Sequence, residues 1–145
     1  MSANLTPLPL RLQQYYESFS SERERALAHL GELFTDDIHF RDPFRETYGL
    51  NDFRRLFERM FKQYRTVRFT DFRLDGDERA FTLTYDMHLR MAIGPDFVTP
   101  MASVCRVREG KVNDLLDFYD FPSSLASPFP LLGATYRKIV NTFFL

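Results

Sequence analysis

The chain has 145 residues, of which 44% are hydrophobic, and this fits one domain with a single core. Its net charge is −1 with acids and bases interspersed, and no apolar run is long enough to span a bilayer, so neither a nucleic-acid nor a membrane partner is expected. The single cysteine, Cys105, excludes an internal disulfide and gives no metal-ligand spacing, and residues 1–16 lack the features of a signal peptide. We therefore expect a cytoplasmic globular domain without a metal or cofactor.

Apolar residues at helical spacing predict three helices in the first half of the chain, over residues 10–19, 22–34 and 50–64. The second helix follows two serines and carries glutamates in its first turn, where the helix dipole favours negative charge. The third helix has one continuous apolar stripe, which includes Phe57.

The segment FTDDIHFRDPF lies between the second and third helices. Asp36 and Asp37 are predicted to close the helix, and residues 38–42 to form a short strand, because Pro43 cannot continue the pairing of a strand. Asp42 is thus placed among aromatic residues, immediately before a proline.

The second half of the chain changes to a period of two, which is typical of strands. Turn sequences separate four predicted strands, over residues 66–74, 80–91, 97–108 and 111–121. Helices followed by an antiparallel meander predict an α+β domain with helices on one face of a curved sheet. We assign residues 1–125 to this domain. A Pro/Ser linker, PSSLASPFP, follows Phe121. Residues 126–145 form an extension with a helix that packs on the same domain or on a partner subunit.

The order of these elements and three motifs resemble the ketosteroid isomerase-like superfamily, also called nuclear transport factor 2-like, which includes the SnoaL-like cyclases. The motifs are LFTDDIHFRDPF, then Gly49 before the third helix, and KVNDLLDFYDFP on the last strand. The resemblance implies a cone-shaped α+β fold whose sheet encloses a deep pocket. It also implies a homodimer through the convex face of the sheet.

Asp42 matches the position of the aspartate base in ketosteroid isomerases. On a period-two strand Ile38, Phe40 and Asp42 share one face, and two of the three are apolar. Burial on this face disfavours the charged carboxylate and raises its proton affinity, which suits a general base. The alternative is a structural aspartate that accepts backbone N–H bonds at the Asp-Pro turn.

The isomerases also use a tyrosine from the first helix and a protonated carboxylic acid from a central strand. Tyr16, or its neighbour Tyr15, matches the tyrosine. Ser103 stands at the position of the acid, and a serine hydroxyl cannot replace a buried carboxylic acid. This departure argues against a standard steroid isomerase.

Asp117 on the last strand is a second candidate for the acid or base. It shares a face with Tyr119, and the resemblance directs Tyr119 toward the pocket. SnoaL-like cyclases carry an acid/base carboxylate on this part of the sheet. The alternative is a carboxylate paired with an arginine at the rim of the pocket.

The strand over residues 80–91 has one apolar and one polar face. If the IGPD turn is tight, His88 lies near Met101 and Asp86 near Ser103, so that both line the pocket. A register change of one residue would instead turn both side chains to solvent.

Together these observations predict a pocket for an apolar, carbonyl-bearing ligand of steroid or polyketide type, and proton transfer without a cofactor. Asp42 is the predicted base, Tyr16 the hydrogen-bond donor, and Asp117 or His88 the auxiliary acid. The predicted lining residues are Phe40, Phe57, Asp86, Ser103 and Tyr119. The alternatives are a non-catalytic ligand-binding domain and a protein-interaction domain of the same fold.

Overall fold

The computed structural model describes residues 6–126 and 128–144. Six helices are found there: α1 (Leu8–Glu17), α2 (Arg23–Ala28), α3 (Leu30–Leu33), α4 (Leu50–Gln63), α5 (Phe121–Ala126) and α6 (Pro130–Phe144). A 3-10 turn, Ser18–Ser20, follows α1. Six strands accompany the helices: β1 (Phe34–Arg41), β2 (Glu46–Tyr48), β3 (Tyr64–Gly76), β4 (Ala80–Met91), β5 (Asp96–Arg108) and β6 (Lys111–Tyr119).

The strands form one curved, unclosed sheet in the order β2-β1-β6-β5-β4-β3. Strand β1 runs parallel to β6, and every other neighbouring pair is antiparallel. Helices α1 and α4 pack against one face of the sheet. The expected α+β fold, with helices on a curved sheet, is confirmed.

The interior is rich in aromatic side chains. Phe19, Phe34 and Phe53 are fully buried, and their rings meet neighbouring rings edge to face. This geometry is favourable for the ring quadrupoles. The Phe content of the sequence therefore builds both the core and, beneath α4, the walls of the cavity described below.

The region before β1 differs from the expected single helix over residues 22–34. The helix breaks at His29, whose backbone leaves the helical region (φ −98°, ψ 5°), and leaves the two short helices α2 and α3. Asp36 and Asp37 do not close a helix but lie within β1, so that prediction was wrong. The strand starts earlier because Phe34 already pairs with Val112 of β6.

Two further elements differ from the sequence prediction. The expected Pro/Ser linker begins with α5, whose Ser124 hydroxyl donates to the Asp120 carbonyl oxygen at 2.8 Å. The short strand β2 was not predicted; it pairs with the end of β1.

Gly49 then turns the chain into α4 with φ +90°, a value that L residues rarely adopt. This turn sets α4 against β1 and so closes the cavity.

Helix α6 packs against α5, and most of its large apolar side chains remain exposed, including Leu131, Leu132, Phe143 and Phe144. In the part of the chain that the structure describes, no helix has the length and apolar character needed to cross a membrane.

Candidate functional site

A cavity of about 220 Å³ lies between the sheet and helices α1 and α4. Its walls are largely apolar and include Phe40, Phe53, Phe57, Met60, Met87 and Leu115. A few polar side chains also line it, among them Tyr16, Asp42, Arg45, Asp117 and Tyr119. Apolar walls with a few convergent polar groups are typical of small-molecule sites.

Asp117 lies on β6, directly opposite Ser103 of β5. The Ser103 hydroxyl donates to Asp117 Oδ1 at 2.5 Å, and the Tyr85 hydroxyl lies 2.8 Å from Ser103 Oγ. Burial raises the pKa of the Asp117 carboxyl to about 7, and the negative charge of Asp42 adds to this effect. The bond from Ser103 and the charge of Arg45 act in the opposite direction. Asp117 is half-buried and is one of the residues that line the cavity.

Tyr16 reaches the cavity from α1. Its ring packs against those of Phe69 and Tyr85, with centroids 5.3 and 5.6 Å away. Burial raises the Tyr16 pKa well above its usual value, and the nearby Tyr85 and Asp117 raise it further. Among the described residues, none forms a hydrogen bond with its hydroxyl. A buried tyrosine hydroxyl normally has a partner.

Asp42 lies just after β1, and its side chain is only 2% exposed. Its Oδ1 accepts hydrogen bonds from the backbone N–H groups of Phe44 and Arg45, at 2.8 and 2.7 Å. Its Oδ2 accepts from the Arg45 guanidinium, at 2.8 and 3.1 Å, and from the Tyr119 hydroxyl at 3.2 Å. Asp42 therefore lines the cavity, and it also makes the backbone contacts of the structural alternative.

The other expected lining residues divide into two groups. Phe40, Phe57 and Tyr119 line the cavity. Burial and the charge of Asp42 raise the Tyr119 pKa to about 12. Ser103 is fully buried behind Asp117 and Tyr85 and does not reach the cavity surface.

The expectation that His88 and Asp86 line the pocket was wrong. His88 pairs with Val98 rather than Met101, a displacement of three residues, and Asp86 pairs with Pro100. A shift of the pairing by an odd number of residues turns each side chain of a strand to the opposite face of the sheet. In the observed register the apolar side chains of β4 are buried and His88 and Asp86 lie on the outer face. On the outer face, the His88 ring lies 2.8 Å from the Thr70 hydroxyl.

Sequence reasoning missed two members of the site. Tyr85 belongs to the apolar face of β4, and only its pairing opposite Met101 brings it beside Ser103. Arg45 follows the Asp-Pro-Phe corner, and its spacing from Asp42 suits a turn closed by the aspartate side chain. The described ranges, 6–126 and 128–144, contain no cluster of three or more metal-ligating side chains.

Comparison with known proteins gives one family and a set of similar structures. The model of the family described as SnoaL-like domain matches residues 12–115. No curated protein matches the chain.

Three solved structures illustrate the similarity of fold. A protein with a ketosteroid isomerase-like fold from Catenulispora acidiphila DSM 44928, in complex with trimethylamine, is 20% identical (TM-score 0.69; 82% of this chain, 91% of that one). A protein from Xanthomonas campestris pv. campestris, provisionally described as a polyketide cyclase, is also 20% identical (TM-score 0.65; 78% and 90%). An LEH-like epoxide hydrolase from M. tuberculosis is 15% identical (TM-score 0.64; 81% and 86%). At these identities the likeness shows the fold alone.

Proposed function

Because the chain belongs to the SnoaL-like domain family, we propose that it binds a small apolar carbonyl compound and moves a proton at the carbon next to the carbonyl. One observation carries this proposal: a carboxyl group with a pKa of about 7, Asp117, lines an apolar cavity that Tyr16 also lines. A perturbed carboxyl in a cleft marks a candidate functional site.

Asp117 is the acid/base group of this proposal. Below about pH 7 the carboxyl holds a proton, and above about pH 7 it is ionised. Both forms are therefore populated near neutral pH, which suits a group that takes a proton from one atom and returns it to another. A carboxylate with an unshifted pKa would be too weak a base to do this efficiently.

Tyr16 is the donor to the carbonyl oxygen. When a proton leaves the neighbouring carbon, negative charge develops on that oxygen, and a prearranged donor in an apolar site stabilises it. The Tyr16 hydroxyl is suited to this role because no described residue engages it, and Asp117 lies near enough to affect its pKa.

In this proposal Asp42 stabilises the turn that follows β1 and does not act as the base. Its two oxygens accept bonds from two backbone N–H groups, the Arg45 guanidinium and the Tyr119 hydroxyl. Both oxygens of the carboxylate are therefore engaged by the protein, and neither is left for a ligand. Asp42 instead keeps Arg45 at the cavity, where the guanidinium charge favours ionised Asp117.

The cavity volume narrows the class of ligand. An apolar cavity of about 150 Å³ binds benzene, and sites for drug-sized ligands measure about 300 to 1,000 Å³. At about 220 Å³ the cavity suits a ligand with one substituted ring or two fused rings. A four-ring steroid or an extended polyketide would protrude from it.

Deuterium exchange tests this function without knowledge of the natural substrate. The probe is 2-tetralone, a bicyclic ketone with acidic hydrogens beside its carbonyl, incubated with the protein in deuterated buffer and followed by NMR. We expect exchange above the buffer rate in the wild type, loss of that excess in Asp117→Asn, and retention of part of it in Asp42→Asn. Loss in Asp42→Asn with retention in Asp117→Asn would transfer the base role to Asp42 and overturn this assignment.

Binding without catalysis is the competing function, and the fully engaged Asp42 favours it. It predicts that 2-tetralone perturbs NMR signals of cavity residues such as Phe57 while exchange stays at the buffer rate. A cyclohexanone and a four-ring 3-ketosteroid, measured in parallel, test the size limit. Tighter binding of the steroid than of 2-tetralone would contradict the proposed ligand class.

We further propose that two copies associate through the outer face of the sheet. Val98 and Phe118 are about half exposed on this face, which supports a surface covered by a second subunit. Sedimentation analysis should find a dimer for the wild type and a monomer for Phe118→Glu. A monomeric wild type would exclude this assembly.

A further inference from the structure

We propose that Ser103, supported by Tyr85, is a positioning residue that holds the carboxyl group of Asp117 in place and favours its ionised form. This role rests on the proposed function of Asp117 as acid/base. The side chain of Ser103 is fully buried and does not line the cavity, so it would act on a ligand only through Asp117.

The direction of the hydrogen bonds follows from the number of protons. A serine hydroxyl has one proton and an ionised carboxylate has none, so Ser103 donates to Asp117 Oδ1. The Ser103 oxygen is then left to accept, and the Tyr85 hydroxyl, 2.8 Å away, donates to it. The result is a chain in which Tyr85 donates to Ser103 and Ser103 donates to the carboxylate.

These two hydrogen bonds engage one carboxyl oxygen of Asp117 and leave the other oxygen available. Among the described residues, no group donates a hydrogen bond to Asp117 Oδ2, and Asp117 lines the cavity. Ser103 thus holds Oδ1 and leaves Oδ2 available to a ligand in the cavity. A base must lie within hydrogen-bond reach of the proton that it abstracts, so this orientation matters for the reaction.

Several groups act on the protonation of Asp117. Burial and the charge of Asp42 oppose ionisation, whereas Ser103 and the charge of Arg45 favour it. The charge of Asp117 acts on three other ionisable groups: Tyr16 on α1, Tyr85 on β4 and Cys105 on β5. Tyr119 on β6 interacts with Asp42 and Arg45, and Asp114, also on β6, acts on Cys105. Burial raises the pKa of Tyr16, Tyr85, Cys105 and Tyr119, so these groups stay uncharged near neutral pH. Ser103 is the hydrogen-bond donor to Asp117 among the described residues.

The test is a direct titration of Asp117 in the whole protein, by NMR of ¹³C-labelled aspartate carboxyl groups, with Asp117→Asn to assign the signal. In Ser103→Ala we expect the midpoint to rise by about one pH unit, because the ionised form loses a donor. Tyr85→Phe should raise it by less, and Ser103→Thr, which keeps a hydroxyl, should restore it. Thr99→Val is the matched control, since Thr99 is another buried hydroxyl residue of β5 and lies opposite Met87.

The outcomes separate this inference from the proposed function. An unchanged or lower midpoint in Ser103→Ala would overturn the role of Ser103, and so would an equal rise in Thr99→Val. A raised midpoint in a protein that shows no exchange of 2-tetralone would keep the role of Ser103 in holding Asp117 and reject the catalytic proposal. If Ser103 favours ionised Asp117 and Asp117 is also the base, the exchange rate of Ser103→Ala should reach half its maximum at a pH about one unit higher than in the wild type.

Discussion

The carboxyl of Asp117 and the hydroxyl of Ser103 lie 2.5 Å apart, on residues that face each other across β6 and β5. The sequence comparison predicted that Ser103 occupies the position of the buried acid of ketosteroid isomerases. In the structure Ser103 instead donates to a carboxyl from the neighbouring strand, and burial raises the pKa of that carboxyl.

The raised pKa of Asp117 makes the free energy of unfolding depend on pH. Between about pH 4 and pH 7 the unfolded chain has released the Asp117 proton while the folded protein retains it, so stability falls as pH rises through this window. A rise from 3.8 to about 7 corresponds to a loss on the order of 4 kcal/mol. Asp117→Asn cannot ionise and should avoid this loss.

Urea unfolding of the wild type and Asp117→Asn at pH 5 and pH 8 measures the effect. The variant should gain stability relative to the wild type at pH 8, and the gain should shrink toward pH 5. Asp75→Asn, at an exposed position, controls for the removal of one negative charge. The same difference at both pH values would show that the Asp117 pKa is not raised.

Asp42→Asn should move the titration of Asp117 in the direction opposite to that of Ser103→Ala. The negative charge of Asp42 raises the Asp117 pKa, and the positive charge of Arg45 lowers it. The variant removes the first charge and leaves the second without its ion pair, so the midpoint should fall below about 7. Carboxyl NMR on the folded variant measures this shift, and a midpoint at or above the wild-type value would contradict the prediction.

Tyr15 and Tyr16 form a matched pair of hydroxyl deletions. The Tyr15 hydroxyl donates to the Ala26 carbonyl oxygen at 2.7 Å in the core, so Tyr15→Phe should lower the free energy of unfolding by about 1 to 3 kcal/mol. The Tyr16 hydroxyl has no partner among the described residues, so Tyr16→Phe should leave stability unchanged or raise it.

For the exchange of 2-tetralone we expect the opposite ranking, with the larger effect in Tyr16→Phe and the smaller in Tyr15→Phe. Tyr16→Phe should reduce the maximal exchange rate by about 10²-fold or more, the usual effect of losing a donor to a developing oxyanion. Tyr15→Phe, compared at a temperature where it is folded, should stay close to the wild type. Equal stability losses in the two variants, or an unchanged exchange rate in Tyr16→Phe, would contradict the assignment of Tyr16 as the donor.

The sequence predicted those parts of the site that depend on short segments, and not those that depend on how distant strands pair. Period-two alternation predicted that Asp117 and Tyr119 share one face, and the family resemblance directed that face and Asp42 toward a pocket; all three line the cavity. The contact between Tyr85 and Ser103 depends on the register of two long strands, which sequence periodicity does not fix. His88 was misplaced for this reason, because the pairing of β4 with β5 differs by an odd number of residues from that expected for a tight IGPD turn.

Helix prediction failed before β1 for a related reason. Phe34 fits the apolar stripe of a helix and also the buried face of a strand. Its pairing with Val112, far along the chain, decides for the strand. Local propensity was overridden by a long-range contact that only the fold provides.

Arg23 joins α2 to the end of α4 and so supports one wall of the cavity. Its guanidinium donates to the carbonyl oxygens of Phe61, Tyr64 and Arg65 at 3.0, 3.2 and 2.7 Å. These carbonyls lie at and just beyond the C-terminal end of α4, where partners within the helix are lacking and a positive charge is favourable. Arg23→Ala should therefore lower the free energy of unfolding by roughly 2 to 3 kcal/mol, since bonds to a charged group are lost and carbonyls are left without a donor.

Arg25→Ala is the matched control from the same helix, because its side chain is 70% exposed and pairs with Glu22 at the surface. Such surface pairs contribute about 0 to 1 kcal/mol. Arg23→Lys retains the charge but not the planar set of donors, so urea unfolding should place it between Arg23→Ala and the wild type. Equal losses in Arg23→Ala and Arg25→Ala would show that the carbonyl contacts of Arg23 do not stabilise α4. If they do stabilise it, Arg23→Ala should also weaken binding of 2-tetralone, because Met60 and Phe57 of α4 form part of the cavity wall.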